Sequence, residues 1–153
     1  MTNTRSITNT RLILTTCAAV AVLVMAGQDL RAQAQRIEKP LPPSLTDLQQ
    51  AQVIEIKNDS GATVLKGTFM TKEDKAGEVE RETKLAGISG AGSAEIEVKK
   101  KDGQVKDQEL ALELGRLMYG GAYKIFVDSK EVFAFSADDK GKASLKLSTK
   151  ITK

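Results

Sequence analysis

From Gln52 to Thr149, apolar side chains recur at about every second position, and that period confines the chain to β-structure. In Glu78–Leu85, Val79, Thr83 and Leu85 fall on one face, with Glu80, Glu82 and Lys84 opposite. Ala94, Ile96 and Val98 alternate in the same way with Glu95, Glu97 and Lys99, and Leu110, Leu112 and Leu114 face away from Glu109 and Glu113. A strand buried on one face requires this pattern, because successive side chains point to opposite sides of the sheet. No stretch of comparable length after Ala34 carries the 3.6-residue apolar stripe of a helix. The spacing predicts eight strands, at 52–57, 62–70, 78–86, 94–101, 104–114, 122–128, 131–136 and 142–149.

Proline use sharpens this reading. Pro40, Pro42 and Pro43 all lie in Gln35–Gln50, and none follows. Proline cannot donate a ladder hydrogen bond, so residues 35–50 read as an extended linker or arm before a domain at 51–153. Ser44 followed by Asp47 can open a single helical turn there.

Turn residues order the strands into hairpins. Asn58-Asp59-Ser60-Gly61 joins Ile54 and Ile56 to Leu65 and Phe69, and a four-residue loop keeps them on one face. Lys101-Asp102-Gly103 is expected as a three-residue loop. A two-residue turn in unbroken register would set Ile96 against Glu109.

The N-terminal residues 1–34 have the order of a secretory signal. Arg5 and Arg11 precede the apolar run Leu12–Ala26, and Ala32-Gln33-Ala34 ends the segment. Cleavage is expected after Ala34, with Ala26 as the alternative site. Cys17 has no Gly or Ala just before it, so it is read as part of the apolar run and not as a lipid attachment site. The implied location is outside the cytoplasm, periplasmic or extracellular and bacterial, with no stable membrane span once the signal is removed. Arg5, Arg11 and Arg31 against Asp29 account for most of the chain's net +3, so residues 35–153 are almost neutral. That balance gives no electrostatic basis for nucleic acid as a partner. Lys99-Lys100-Lys101 reads as a solvated hairpin tip.

Composition removes whole classes of chemistry. The chain has no His, and its one Cys lies in the leader. Ser/His/Asp and Cys/His catalysis and the usual zinc, copper and haem ligand sets are therefore excluded, and no cofactor or disulfide is expected. Gly87-Ile-Ser-Gly90-Ala-Gly92-Ser93 imitates a phosphate loop but leads into a strand, where a working loop leads into a helix. Asp138-Asp139-Lys140-Gly141 lacks the ligand spacing of a calcium loop and reads as a turn. A pair of acids acting on a glycoside is the one catalytic alternative left, as a carboxylate-based hydrolase.

The aromatic residues are concentrated. Tyr119, Tyr123, Phe126, Phe133 and Phe135 lie between Met118 and Phe135, and only Phe69 lies elsewhere. If Asp128–Glu131 closes a hairpin in simple register, Tyr123, Ile125 and Val127 share the core face with Val132 and Ala134. Phe126, Phe133 and Phe135, with Lys124, then form a mixed patch on the other face. This patch is the expected binding surface of a non-catalytic module for a protein, a surface polymer or a second copy of the chain. Cover by the arm, through Leu41, Leu45 and Leu48, or by a second sheet is the alternative fate of the three rings.

Leu117-Met-Tyr-Gly-Gly-Ala-Tyr123-Lys-Ile-Phe-Val127 resembles the segment of fibronectin type III and related immunoglobulin-like sandwiches that enters the sixth strand. The resemblance implies a tyrosine corner, with Leu117 inward, Gly120 at the bend and the Tyr123 hydroxyl bonded to backbone upstream. Tyr119 stands where that pattern usually has Pro, and no Trp is present. The expected fold is a single antiparallel β-sandwich of seven or eight strands, with a small closed barrel as the alternative. Tyr119 and Tyr123 are assigned to the core or corner.

Overall fold

The computed structural model describes residues 36–45 and 47–150; the expected signal, its cleavage sites and Cys17 lie outside the described residues. The chain is all-β. Ten strands are present among the described residues: β1 (Arg36–Pro40), β2 (Val53–Asn58), β3 (Thr63–Thr68), β4 (Met70–Lys75), β5 (Glu78–Ala86), β6 (Ala91–Lys101), β7 (Gln104–Gly115), β8 (Ala122–Val127), β9 (Lys130–Ser136) and β10 (Ala143–Ser148). They form one curled open sheet in the order β1-β10-β7-β6-β5-β3-β2-β8-β9, with β4 also paired to β5. The path ends at β1 and β9, so the sheet does not close into a barrel. No helix among the described residues is long and apolar enough to cross a membrane.

Two strands exceed the expected eight. Residues 62–70 do not end as one strand: the chain bends at Phe69, whose N–H donates to the Gln52 carbonyl at 2.9 Å, and runs on as β4. The sequence of β4 is almost all polar, so it carries no alternation to read. The other addition is β1, which pairs parallel with β10, from Arg36↔Ser144 to Pro40↔Ser148. The arm is thus more than a linker, and the sheet is not wholly antiparallel. Pro40 ends the strand at an edge, where its missing N–H breaks no ladder.

The alternating residues build the core. Ile54, Ile56, Leu65, Ile96, Leu110, Leu112, Ile125, Leu145 and Leu147 are fully buried, each gaining about 2 kcal/mol from leaving water. The arm completes one end of this core. Asp47 accepts from the Gln49 N–H at 3.0 Å and caps the single 3₁₀ turn Leu48–Gln50, which packs on β6 and β7. Leu48 is fully buried, and its N–H donates to the Gln108 side-chain oxygen at 2.7 Å.

Arg81 points into the same region and is only 8% exposed. Parity places it on the inner face of β5, with Val79 and Thr83. Its guanidinium donates to the carbonyls of Gln49 at 2.9 Å, of Phe69 at 3.3 Å, and of Ala51. A buried cation is costly unless its protons find acceptors. Here backbone from the arm and from the β3–β4 bend supplies them for the two terminal nitrogens, whereas the buried Nε has no partner among the described residues.

The hairpins reach their register by a device the sequence does not announce. Asp102 and Gly103 (φ 54° and 75°) form a two-residue turn, with Lys101↔Gln104 paired, so the expected three-residue loop is absent. Ile96 nevertheless pairs with Leu110 and Ala94 with Leu112, because Lys106 is an extra, unpaired residue that restores the parity. One-residue offsets occur in the same way at Val64 in β2–β3, at Lys72 in β4–β5 and at Val132 in β8–β9.

The last of these reverses an expectation. Asp128 and Ser129 (φ 47° and 68°) form a two-residue turn, which in simple register would turn Phe133 and Phe135 outward. Beyond Val132 the pairing is instead Ile125↔Phe133 and Tyr123↔Phe135, so both rings join the core side, and Ala134 moves to the exposed face opposite Lys124. Burying Phe135 and packing Phe133 against the core outweighs the small cost of one irregular step in the ladder.

Candidate functional site

The two ends of the sheet are built differently. At the end where the arm docks, β4–β5, β6–β7 and β8–β9 are joined by two-residue turns. At the other end, four longer connections gather: 59–62, 87–90, 116–121 and 137–142. Cross-strand pairs Ala86↔Ala91, Ala91↔Gly115 and Asn58↔Tyr123 bring them to one rim.

These loops are fixed by backbone. The Leu117 N–H donates to the Gly141 carbonyl at 2.9 Å, Gly120 N–H to Asp138 at 3.2 Å, and Ala137 N–H to Gly121 at 3.0 Å. A Cβ on Gly141 would stand 2.2 Å from the Leu117 carbonyl oxygen, and its φ is +67°, so only glycine fits there. In the 87–90 loop, a Cβ on Gly87 would meet the Val64 carbonyl oxygen at 1.9 Å. The glycines of the apparent phosphate loop therefore serve close packing. The Asp138 carboxylate accepts from the N–H groups of Lys142 at 2.7 Å and Lys140 at 2.8 Å. Those two backbone bonds, Lys142 first, hold its pKa below the ordinary aspartate value.

Tyr123 lies at the base of this rim. Its ring is buried and stacks on Phe135, with centroids 5.6 Å apart, and its hydroxyl accepts from the Met118 N–H at 2.9 Å. Leu117 is buried beside it, and Gly120 takes φ +61° at the bend. Tyr119, assigned to the core or corner, lies at the corner and not in the core: it is 75% exposed, because the hydrogen bonds around Leu117 and Tyr123 turn the intervening residues outward. Met118 is 73% exposed and Ile88, in the 87–90 loop, 86%. The two loops touch where a Cβ on Gly90 would stand 3.0 Å from a Leu117 methyl.

The four residues expected to form a patch are distributed over both faces. Phe135 is buried against Tyr123, and Phe133 is half-buried against the core. Phe126 remains on the outer face of β8, half-buried, with the Lys57 ammonium 4.4 Å from its ring centre. Lys124 is on that outer face too, bonded to Glu131 at 3.0 Å. The arm leucines Leu41, Leu45 and Leu48 belong to the same buried core as Phe135, with Phe133 packed against it, and the turn carrying Leu48 packs on β6 and β7.

Charge is concentrated on the outer face of β5, β6, β7 and β10. A groove of about 350 Å³ there is lined by Glu97, Lys99, Asp107, Glu109, Lys146 and Lys150, among others. Its acids are answered by cations: Lys99 pairs with Glu97, Lys146 with Glu109, and Lys150 with Asp107 at 3.7 Å. Lys99 holds the Glu97 carboxyl low, whereas a hydrogen bond shared with Glu97 raises that of Glu78. Among the described residues no group of three His, Cys, Asp or Glu side chains is placed to hold a metal ion.

Sequence reasoning missed Ile88 and Met118 as surface features. The available signal was position alone: an apolar residue inside a glycine-bounded loop has no strand alternation to bury it. Arg81 was missed as well, though parity marks it as the one charged residue between Val79 and Thr83 on the inner face. No family model matches this chain, and neither the curated proteins nor the solved structures contain a match.

Proposed function

We propose that this chain is an exported, non-catalytic binding module that contacts a protein or surface polymer through its loop end. The observation that carries this reading is the exposure of Ile88, Met118 and Tyr119 on two touching loops. Loops held by a rigid sheet are the usual place for recognition, and large apolar side chains left exposed on neighbouring loops favour contact with a partner. Export rests on the basic start, the apolar run and Ala32-Gln33-Ala34. An immunoglobulin-like arrangement, with β1-β10-β7-β6-β5 and β3-β2-β8-β9 as facing layers, is supported by the single cluster that draws buried residues from both halves. The pairing of each named groove acid with a lysine favours binding over a carboxylate-based hydrolase.

The test is affinity capture from the exported fraction of the producing cell. Ile88→Ser, Met118→Ser and Tyr119→Ser together should abolish capture while changing stability by less than about 0.5 kcal/mol per site. Undiminished capture by the triple variant sinks the loop-end reading. A variant with Lys124→Ala and Phe126→Ser, run beside it, asks the same of the outer face of β8.

A further inference from the structure

Residues 35–153 hold no Cys, His or Trp, so among the described residues the thioethers of Met70 and Met118 are the most easily oxidised side chains. Methionine is ordinarily a buried gap-filler. Both of these are exposed, Met70 at 71% and Met118 at 73%. Their surroundings differ. Met70 opens β4, opposite Glu82, in a strand whose remaining residues are polar. Met118 stands in the 116–121 loop beside Tyr119, on the rim that also carries Ile88.

The backbone of Met118 is fixed although its side chain is uncovered. Its N–H donates to the Tyr123 hydroxyl at 2.9 Å, and its carbonyl accepts from the Gly121 N–H at 3.0 Å. Leu117, the neighbour that faces inward, is buried. A change confined to the Met118 side chain therefore alters the surface of the loop end and leaves the core contacts below it in place. Oxidation is such a change: it adds an oxygen to sulfur and turns a flexible apolar side chain into a polar, chiral one.

We propose that Met118 is a reversible oxidation site, at which a peroxide switches the loop end from apolar to polar. A sulfur lone pair attacks hydrogen peroxide, an S–O bond forms as the O–O bond breaks, and the remaining oxygen leaves as water. Sulfur is oxidised, and the peroxide reduced, by the same electron pair. A methionine sulfoxide reductase reverses the step with a dithiol, which becomes a disulfide as the oxygen departs as water. An exported chain meets such oxidants outside the thiol-reducing cytoplasm. The consequence for capture rests on the loop-end reading: a sulfoxide must shed water that a thioether does not hold, which should weaken contact about tenfold. Met70 is the internal control, because it is as exposed as Met118 and lies outside that rim.

The test treats the protein recovered from the exported fraction with hydrogen peroxide. Met70→Leu and Met118→Leu keep apolar volume, and each leaves one oxidisable methionine among the described residues. Peptide mapping should find sulfoxide at both positions of the parent chain, formed at rates within about threefold of each other, with the melting temperature unchanged. Retention on a phenyl-substituted matrix, a probe that needs no partner, should fall more on oxidation of Met70→Leu than of Met118→Leu. Oxidation should cut capture about tenfold in Met70→Leu, leave Met118→Leu at the level it had before oxidation, and be undone by the reductase. A Met118 that stays unoxidised, a lowered melting temperature, or equal losses from the two variants each overturns the proposal. Capture that survives the triple serine variant sinks the loop-end reading alone, and retention on the phenyl matrix then decides the switch.

Discussion

The arm end and the loop end of this sheet draw on the same strands and use them in opposite ways. At the arm end, three hairpins close in two-residue turns, and Leu48 and Arg81 fill the interior. At the loop end, four longer connections are held by backbone hydrogen bonds and glycine contacts, and Ile88, Met118 and Tyr119 point outward while Leu117 stays buried. Gln108, against the arm, and Gly115, at the loop rim, are seven residues apart on β7, about 24 Å along an extended strand. The arm end buries a cation and a leucine, whereas the loop end leaves three large apolar side chains exposed above its buried tyrosine.

The strongest challenge to this contrast is Arg81→Met. It keeps apolar volume but leaves the carbonyls of Gln49, Ala51 and Phe69 without their donor, at a cost of about 3 kcal/mol or more. Urea unfolding measures it, and a loss below about 1 kcal/mol would mean that the arm end does not depend on Arg81.

Tyr123→Phe tests the junction between the two ends. Its hydroxyl holds the Met118 N–H, so the loss should be about 1 kcal/mol, with no change in the cooperativity of unfolding. An unchanged midpoint would remove the tie between the buried ring and the exposed residues above it.

The smallest effect belongs to Asp138, on the loop rim. A carboxyl held low by N–H donors stabilises the fold above its unfolded-state pKa, and that contribution is lost as pH falls through its lowered folded-state value. The amide shifts of Lys140 and Lys142 should titrate together, with a midpoint below the ordinary aspartate value, and Asp138→Asn should flatten both. A midpoint in the ordinary range would mean that the loop is not fastened by this carboxylate.

The strands that were legible are those with alternation. β2, β5, β7, β8, β9 and β10 lie within about two residues of their expected bounds, because a half-buried strand cannot avoid the period of two. β1 and β4 were not legible, since an edge made mostly of charged residues leaves no apolar face to read. The site was less legible still. Parity alone sent Phe133 and Phe135 to the wrong face, and the surface that now stands out rests on Ile88, Met118 and Tyr119. An exposed apolar side chain in a loop is identified only by what fails to cover it.

By itself the sequence determined an all-β chain with its prolines confined to the arm, and it placed the principal turns, because side-chain period and backbone restriction act locally. Tertiary structure alone decided where Val64, Lys72, Lys106 and Val132 step out of register, and that Arg36–Pro40 returns to pair with β10. An offset residue carries no mark of its own. It is selected by the apolar area that the shifted register buries, and the strands that supply this area are distant in sequence.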